Sequence, residues 1–279
     1  MIKDVILPIT NTAGDANALA AAIALATHAG AHLNVLEFVN LPLAPSSPWG
    51  SGEFELGAIY KTCRIEAEGD AVAWRECLAK ESISSEVRVI ESIFTESAGL
   101  AAKHAYCSDL IVMTMATGIL GDGTIIGDFF TSLLLETGRP VLLVPPDFTW
   151  RPVKHAVVAW MPTREATRAL HDAMPLLREA ESVDVLEIDT ESSKECESPP
   201  PGGDVTTHLT RHGLKTRVVA YQSRGETVAG ALIKHAQDSG ADLLVAGGYG
   251  HSRFREWVLG GATRELLSGT SSVPILFSH

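Results

Sequence analysis

The chain repeats itself. Asp109-Leu110-Ile111-Val112 returns as Asp242-Leu243-Leu244-Val245, 133 residues later, and Gly138-Arg139-Pro140-Val141-Leu142-Leu143 returns as Ser272-Val273-Pro274-Ile275-Leu276-Phe277, 134 residues later. A duplication of this length leaves few architectures open, because each copy must be a folding unit of its own. The repeated segments are short, unbroken apolar runs, as expected of strands buried on both faces of a parallel sheet. Between them each copy places a turn and then a helical stretch.

The openings of the copies also correspond. Val5-Ile6-Leu7-Pro8-Ile9 precedes an Ala/Leu-rich helix near 16–28 and the strand Leu33–Val39. Ala156-Val157-Val158-Ala159-Trp160 precedes a helix near 164–180 and the strand Val183–Ile188. Thr163 is suited to be the N-cap of that second helix, and Ala166, Ala169, Leu170, Ala173 and Leu177 recur at the spacing of one buried face. Pro175 should bend it or remove one hydrogen bond. Each half therefore reads β-α-β-α-β-α-β-α-β. The fold class is α/β: two tandem doubly wound, Rossmann-like domains, each with a mainly parallel five-stranded sheet. The expected domains are 1–146 and 153–279, divided near Pro145 to Lys154, where Pro145, Pro146 and Pro152 interrupt regular structure. Leu41 to Gly52 reads as a loop before a long helix over 55–80, and Glu191 to Asp204 as a mobile insertion that replaces part of the matching helix.

Composition narrows the functional classes. Hydrophobic residues make up 46% and charged residues 20% of 279, a globular balance. A net charge of −12 is a poor footing for nucleic acid or an anionic membrane. The amino-terminal segment reads as a strand, not a signal peptide, and no apolar run approaches a membrane span, so a cytoplasmic location is expected. Cys63, Cys77, Cys107 and Cys196 form no C-x-x-C pair and read as reduced packing residues.

Chemistry concentrates in 246–264, directly after the buried strand Leu243–Val245. Doubly wound sheets bind ligands at the carboxyl ends of their strands. Gly247 and Gly250 would let the backbone approach a phosphate, and Gly260 and Gly261 open a helix whose free N–H groups favour an anion. Arg253 supplies charge and Thr263 a hydroxyl. The spacing Gly247-x2-Gly250-x9-Gly260, set in this repeat, resembles the nucleotide loop of universal stress proteins (UspA-like, adenine-nucleotide α-hydrolase-like), and the resemblance covers nearly the whole chain twice. It implies a stress-response protein whose second half binds ATP or a related adenine nucleotide through Gly247, Gly250, His251, Arg253, Gly260, Gly261, Ala262 and Thr263. It also implies that Val141–Val144 and Val273–Phe277 join the halves edge to edge, and it admits a homodimer.

Two positions depart from the family pattern. Gly261 stands where a Ser or Thr is usual. Met161 stands where a first-strand carboxylate would take the ribose hydroxyls, a loss of about one to two orders of magnitude in affinity. In the first half Thr114 and Thr117 replace the early glycines, and Thr10 replaces the acid. No Lys or Arg occurs over 104–138, and Asp122 and Asp128 would repel phosphate. That half reads as a pairing or scaffold domain.

Other motifs carry less. His208 and His212 lie four apart without a third ligand, so no metal is expected. Gly250-x-Ser252-x-Phe254 lacks the final glycine of a hydrolase elbow. No catalytic residues are assigned. A ligand-free scaffold of the same fold, or a slow ATP hydrolase using His251, are the alternative readings.

Overall fold

The structure, a computed structural model, describes residues 1–42, 53–93, 96–116, 122–189, 203–249, 261–267 and 271–279. The first half runs β1 (Asp4–Pro8), α1 (Asp15–Ala29), β2 (His32–Leu41), α2 (Glu53–Leu78), β3 (Ser85–Ile93), α3 (Ser97–Ala105), β4 (Leu110–Thr114), α4 (Asp122–Thr137), β5 (Val141–Val144). The second runs β6 (His155–Ala159), α5 (Arg164–Leu177), β7 (Ser182–Ile188), α6 (Gly203–Arg211), β8 (Thr216–Tyr221), α7 (Val228–Asp238), β9 (Leu243–Gly247), α8 (Gly261–Leu267), β10 (Ile275–Ser278).

The strands form one ten-stranded sheet in the order β3-β2-β1-β4-β5-β10-β9-β6-β7-β8. Each half is parallel throughout. Between the halves β5 and β10 run antiparallel, with Val141 opposite Phe277 and Leu143 opposite Ile275. That junction leaves no exposed edge in the middle of the sheet. Helices α1, α2, α5 and α6 pack one face, around residues such as Leu19, Leu78, Leu170 and Leu209. Helices α3, α4, α7 and α8 pack the other, around Ala102, Phe130, Ile233 and Leu266. Both faces are thus covered, which is why β4 and β5 are buried at every residue and read as continuous apolar runs.

Local rules set the helix ends. Thr163 is extended and its side chain accepts from Ala166 N–H, so it caps α5 as expected. Gly30 ends α1 in the left-handed conformation (φ 60), its N–H reaching back to Ala26 and Thr27. Pro175 lies within α5, near its end. Helix α6 has 9 residues where α2 has 26. Most of the insertion read at Glu191 to Asp204 lies outside the described residues. Cys63, Cys77 and Cys107 are free thiols, and Cys196 lies outside the described residues.

The repeated aspartate has a structural cause. Asp109 Oδ2 accepts from the N–H groups of Lys3 and Asp4 (2.7 and 3.1 Å), and Asp242 Oδ2 accepts from those of Lys154 and His155 (2.9 and 3.0 Å). Each carboxylate thus closes the open amino end of its half's first strand. At Asp242, burial raises the pKa, but the two amides and the Arg151 guanidinium (2.7 Å) outweigh it and hold the carboxyl below its ordinary value. Its contribution is therefore full at neutral pH and lost as pH falls through the folded-state pKa. Asp242→Asn should cost about 1–3 kcal/mol at neutral pH and progressively less in acid, read by urea unfolding across that range. An equal cost at both ends of the range would show that charge is not what holds this strand end.

Candidate functional site

The strand order reverses between β6 and β9, since α5 leaves β6 toward one face of the sheet and α8 follows β9 on the other. A crevice at the carboxyl ends of such strands is where this architecture takes ligands. One wall is the end of β6: Trp160, the exposed Met161 (47%), Pro162 and the Thr163 cap. The other is the exit of β9 at Gly247, Gly248 and Tyr249, together with the start of α8 at Gly261.

Of the sequence-predicted site residues, Gly247, Gly261, Ala262 and Thr263 are described; Gly250, His251, Arg253 and Gly260 lie outside the described residues. Gly247 presses on the first turn of α5. A Cβ there would sit 2.7 Å from Ala166 N and 2.8 Å from the Glu165 carbonyl carbon. The absence of a side chain is thus required by strand–helix packing, and it brings the amino end of α5 against the exit of β9. Gly261 is the reverse case, since a Cβ there would meet open space. Ala262 packs on the second core. Thr263, expected to offer its hydroxyl, is buried (6%) and its Oγ1 accepts from Tyr249 N–H at 3.5 Å. It braces the strand exit against α8.

Tyr249 was not singled out by sequence. Its φ of 57 is left-handed, an uncommon conformation for a residue with a Cβ. This turns its side chain toward the first half, where its hydroxyl is 2.9 Å from Thr131 Oγ1 and its ring lies 6.3 Å from that of Phe130. Burial raises its pKa, although the Thr131 bond opposes that. Gly248 makes the same approach, for a Cβ there would meet Leu134 at 2.6 Å. The glycine-rich exit therefore serves the joint between the halves as well as the crevice. The only clue in the sequence is the run Gly247-Gly248-Tyr249-Gly250.

In the first half the corresponding contact is inverted. Thr114 ends β4 and is buried, and the glycine is Gly14, before α1, where a Cβ would fall 1.9 Å from Thr114 Oγ1. Thr10 follows the first strand, as read from the sequence, and an acid from the start of α1 lies against it. Asp15 Oδ2 accepts from Thr10 N (2.9 Å) and Thr12 N (3.1 Å), and Oδ1 from Thr10 Oγ1 (2.8 Å). Burial raises its pKa, and these bonds only partly offset that. Five residues separate Asp15 from Thr10, and the turn between them, with Asn11 at φ 58, folds the carboxyl inward. It is buried (3%) and already engaged, not offered to a ligand.

Among the described residues no three His, Cys, Asp or Glu side chains are grouped to hold a metal ion, and no helix is long and apolar enough to cross a membrane.

This geometry has parallels among known proteins. No family model matches it. A universal stress protein of Synechocystis is 35% identical over 68 residues, 24% of this chain and 22% of that protein, so the match spans about a fifth of the relative. A universal stress protein of Archaeoglobus fulgidus superposes with a TM-score of 0.70 over 99% of this chain and 95% of its own, at 15% identity. This chain has the tandem universal stress protein fold. A protein of unknown function from Pseudomonas aeruginosa superposes with a TM-score of 0.59 at 16% identity, covering 99% of this chain and 92% of its own. The Pseudomonas aeruginosa protein described as a putative universal stress protein gives 0.53 at 14% identity, with 99% and 93% covered. The resemblance drawn from the glycine spacing and the double repeat thus holds for the fold of the whole chain, and for sequence over one short stretch.

Proposed function

We propose that the chain is a cytoplasmic stress-response protein, with domains at 1–146 and 153–279, whose second half holds ATP or a related adenine nucleotide in the β6–β9 crevice. The observation that carries this reading is the contact at Gly247, which sets the amino end of the 14-residue helix α5 against the strand exit at the reversal point. The unpaired N–H groups and dipole of such a helix favour an anion. The phosphates would be met by Gly247, Gly250, His251, Arg253, Gly260, Gly261, Ala262 and Thr263, and the first half would serve as the pairing domain. Binding, not turnover, is the activity proposed.

A ligand-free scaffold is the second reading. Three observations favour it: Gly247 is required by packing, Thr263 is buried as a brace, and Met161 offers no acceptor for a ribose. Mass spectrometry of small molecules released from the denatured protein, followed by ATP titration of the emptied protein, separates the two. Met161 is exposed, so Met161→Asp should fold normally. On the nucleotide reading it strengthens ATP binding by about ten- to a hundredfold, the worth of a hydrogen bond to a charged group. If neither the parent nor Met161→Asp binds ATP, the scaffold reading replaces it.

A further inference from the structure

We infer that the histidine stack between α5 and α6 is an acid-sensitive latch, which holds α6 on the sheet at neutral pH and releases it as the medium acidifies. The latch lies near the β8 edge of the sheet and is independent of the nucleotide reading.

Three imidazoles meet edge to face at this helix contact. The ring of His171 on α5 lies 5.3 Å from that of His208 on α6, and the ring of His208 lies 4.6 Å from that of His212, which follows α6. His171 and His212 are exposed, whereas Nε2 of His208 is buried with no hydrogen-bond partner. Natural folds seldom bury a polar atom without one. As the bare nitrogen of a neutral imidazole it fits there; protonated, it becomes a charged donor with no acceptor.

The surroundings oppose that charge. Burial first, then His212, His171 and Arg211, hold the pKa of His208 below its ordinary value. Among the described residues no ion pair links His208 to a carboxylate, Asp204 one turn earlier on α6 included. On α5, Arg168 and Asp172 lie 3.8 Å from each other, and Arg168 donates to Gly138 O. On β8, the Thr216 hydroxyl donates to Thr206 O at 3.4 Å, while Arg217 is engaged by Asp184. From β7, Val183 and Val185 join the core that α6 covers.

Helix α6 is also lightly held, since it has 9 residues and its buried side chains are Val205 and Leu209. His208 takes a proton more readily when α6 is released than when it is docked. Docking is therefore fully supported above the ordinary histidine value of about 6.5, and weakens as pH falls toward the lowered folded-state value. A proton gained by His171 or His212 adds positive charge beside the same ring and acts in the same direction.

Hydrogen exchange of the full chain, read by mass spectrometry at about pH 7.5 and about pH 5.5 with a chelator present, tests the latch once intrinsic exchange rates are divided out. The expected result is a fall of about tenfold in the protection of α6 at the lower pH, with α7 unchanged. His208→Phe keeps a ring that cannot be charged; it should abolish the fall and leave α6 at least as protected at neutral pH. His171→Gln, on the exposed side of α5, should reduce the fall to a few-fold without touching the core. Equal protection at both pH values would overturn the proposal, as would a fall that persists undiminished in either variant. A parallel fall in α7 would overturn it too, because the whole second half would then be opening.

Discussion

Gly14→Ala should be among the most damaging single-methyl additions in the chain, and Thr114→Gly should repair it. The new Cβ would lie 1.9 Å from Thr114 Oγ1 and 2.9 Å from Thr114 Cβ, distances that no rotamer change of threonine relieves together. Either the start of α1 or the end of β4 must move, and overpacking of this kind costs about 1–3 kcal/mol or somewhat more. Thr114→Gly alone opens a gap at a buried position and should also destabilise. The double variant recreates the arrangement of the second half, in which the glycine sits on the strand (Gly247) and the side chains on the helix (Glu165, Ala166). Its stability should exceed the sum of the two single losses by about 2 kcal/mol, measured as a double-mutant cycle in urea. Additive losses would mean that the two positions do not compete for the same space. Thr114, which stands where the second half has Gly247, fills the space that Gly14 leaves.

That exchange shows what could and could not be read from the sequence. The repeat, the strands and the Thr163 cap are local or periodic features, and each was legible as a pattern of residue types. Even the repeated aspartates announced themselves through position, since Asp109 and Asp242 stand immediately before corresponding strands. The partners of Gly14 and Tyr249 were not legible, because Thr114 and Thr131 lie about 100 residues from them and only the folded sheet brings them together. Asp15 was missed for a different reason. The turn after β1 uses a left-handed Asn11 to fold a carboxyl back over five residues, and nothing in the residue types demands that geometry. Among the residues proposed for the nucleotide, Thr263 is buried and its Oγ1 accepts from Tyr249 N–H, a partner that no local pattern of residues announces.

The protein should lose stability as pH rises from the ordinary glutamate range toward neutrality, and Glu37→Gln should flatten that part of the profile. Glu37 lies within β2 and is fully buried (0%). Oε2 accepts from the Trp74 indole of α2 at 2.8 Å, and Oε1 from Phe38 N–H at 3.2 Å. Burial is the dominant influence on its pKa; the Trp74 bond opposes it, and Asp70 of α2 and Asp15 of α1 reinforce it. The result is a carboxyl raised from 4.5 to about 7. Between those values the folded chain holds a proton that the unfolded chain has released, so stability falls with rising pH and levels off above about 7. At about 1.4 kcal/mol per pH unit, the full difference is up to ~3 kcal/mol. Glutamine keeps an acceptor for Trp74 and cannot ionise, so the gap between the two proteins should close by roughly that amount between mildly acid and mildly alkaline pH. Urea unfolding with Trp fluorescence follows both stability and the Trp74 environment. Parallel profiles for the two proteins would mean that Glu37 ionises without cost, through water reaching it. Glu187 occupies the same register in β7, since both acids lie five residues beyond the strand starts His32 and Ser182 that pair with the first strand of each half. Burial raises its pKa too, and among the described residues no indole opposes it. The sequence displays this duplication as Val35-Leu36-Glu37 and Val185-Leu186-Glu187, and the fold gives it meaning: each half keeps a buried acid on its second strand, one residue past the last pair with the first strand.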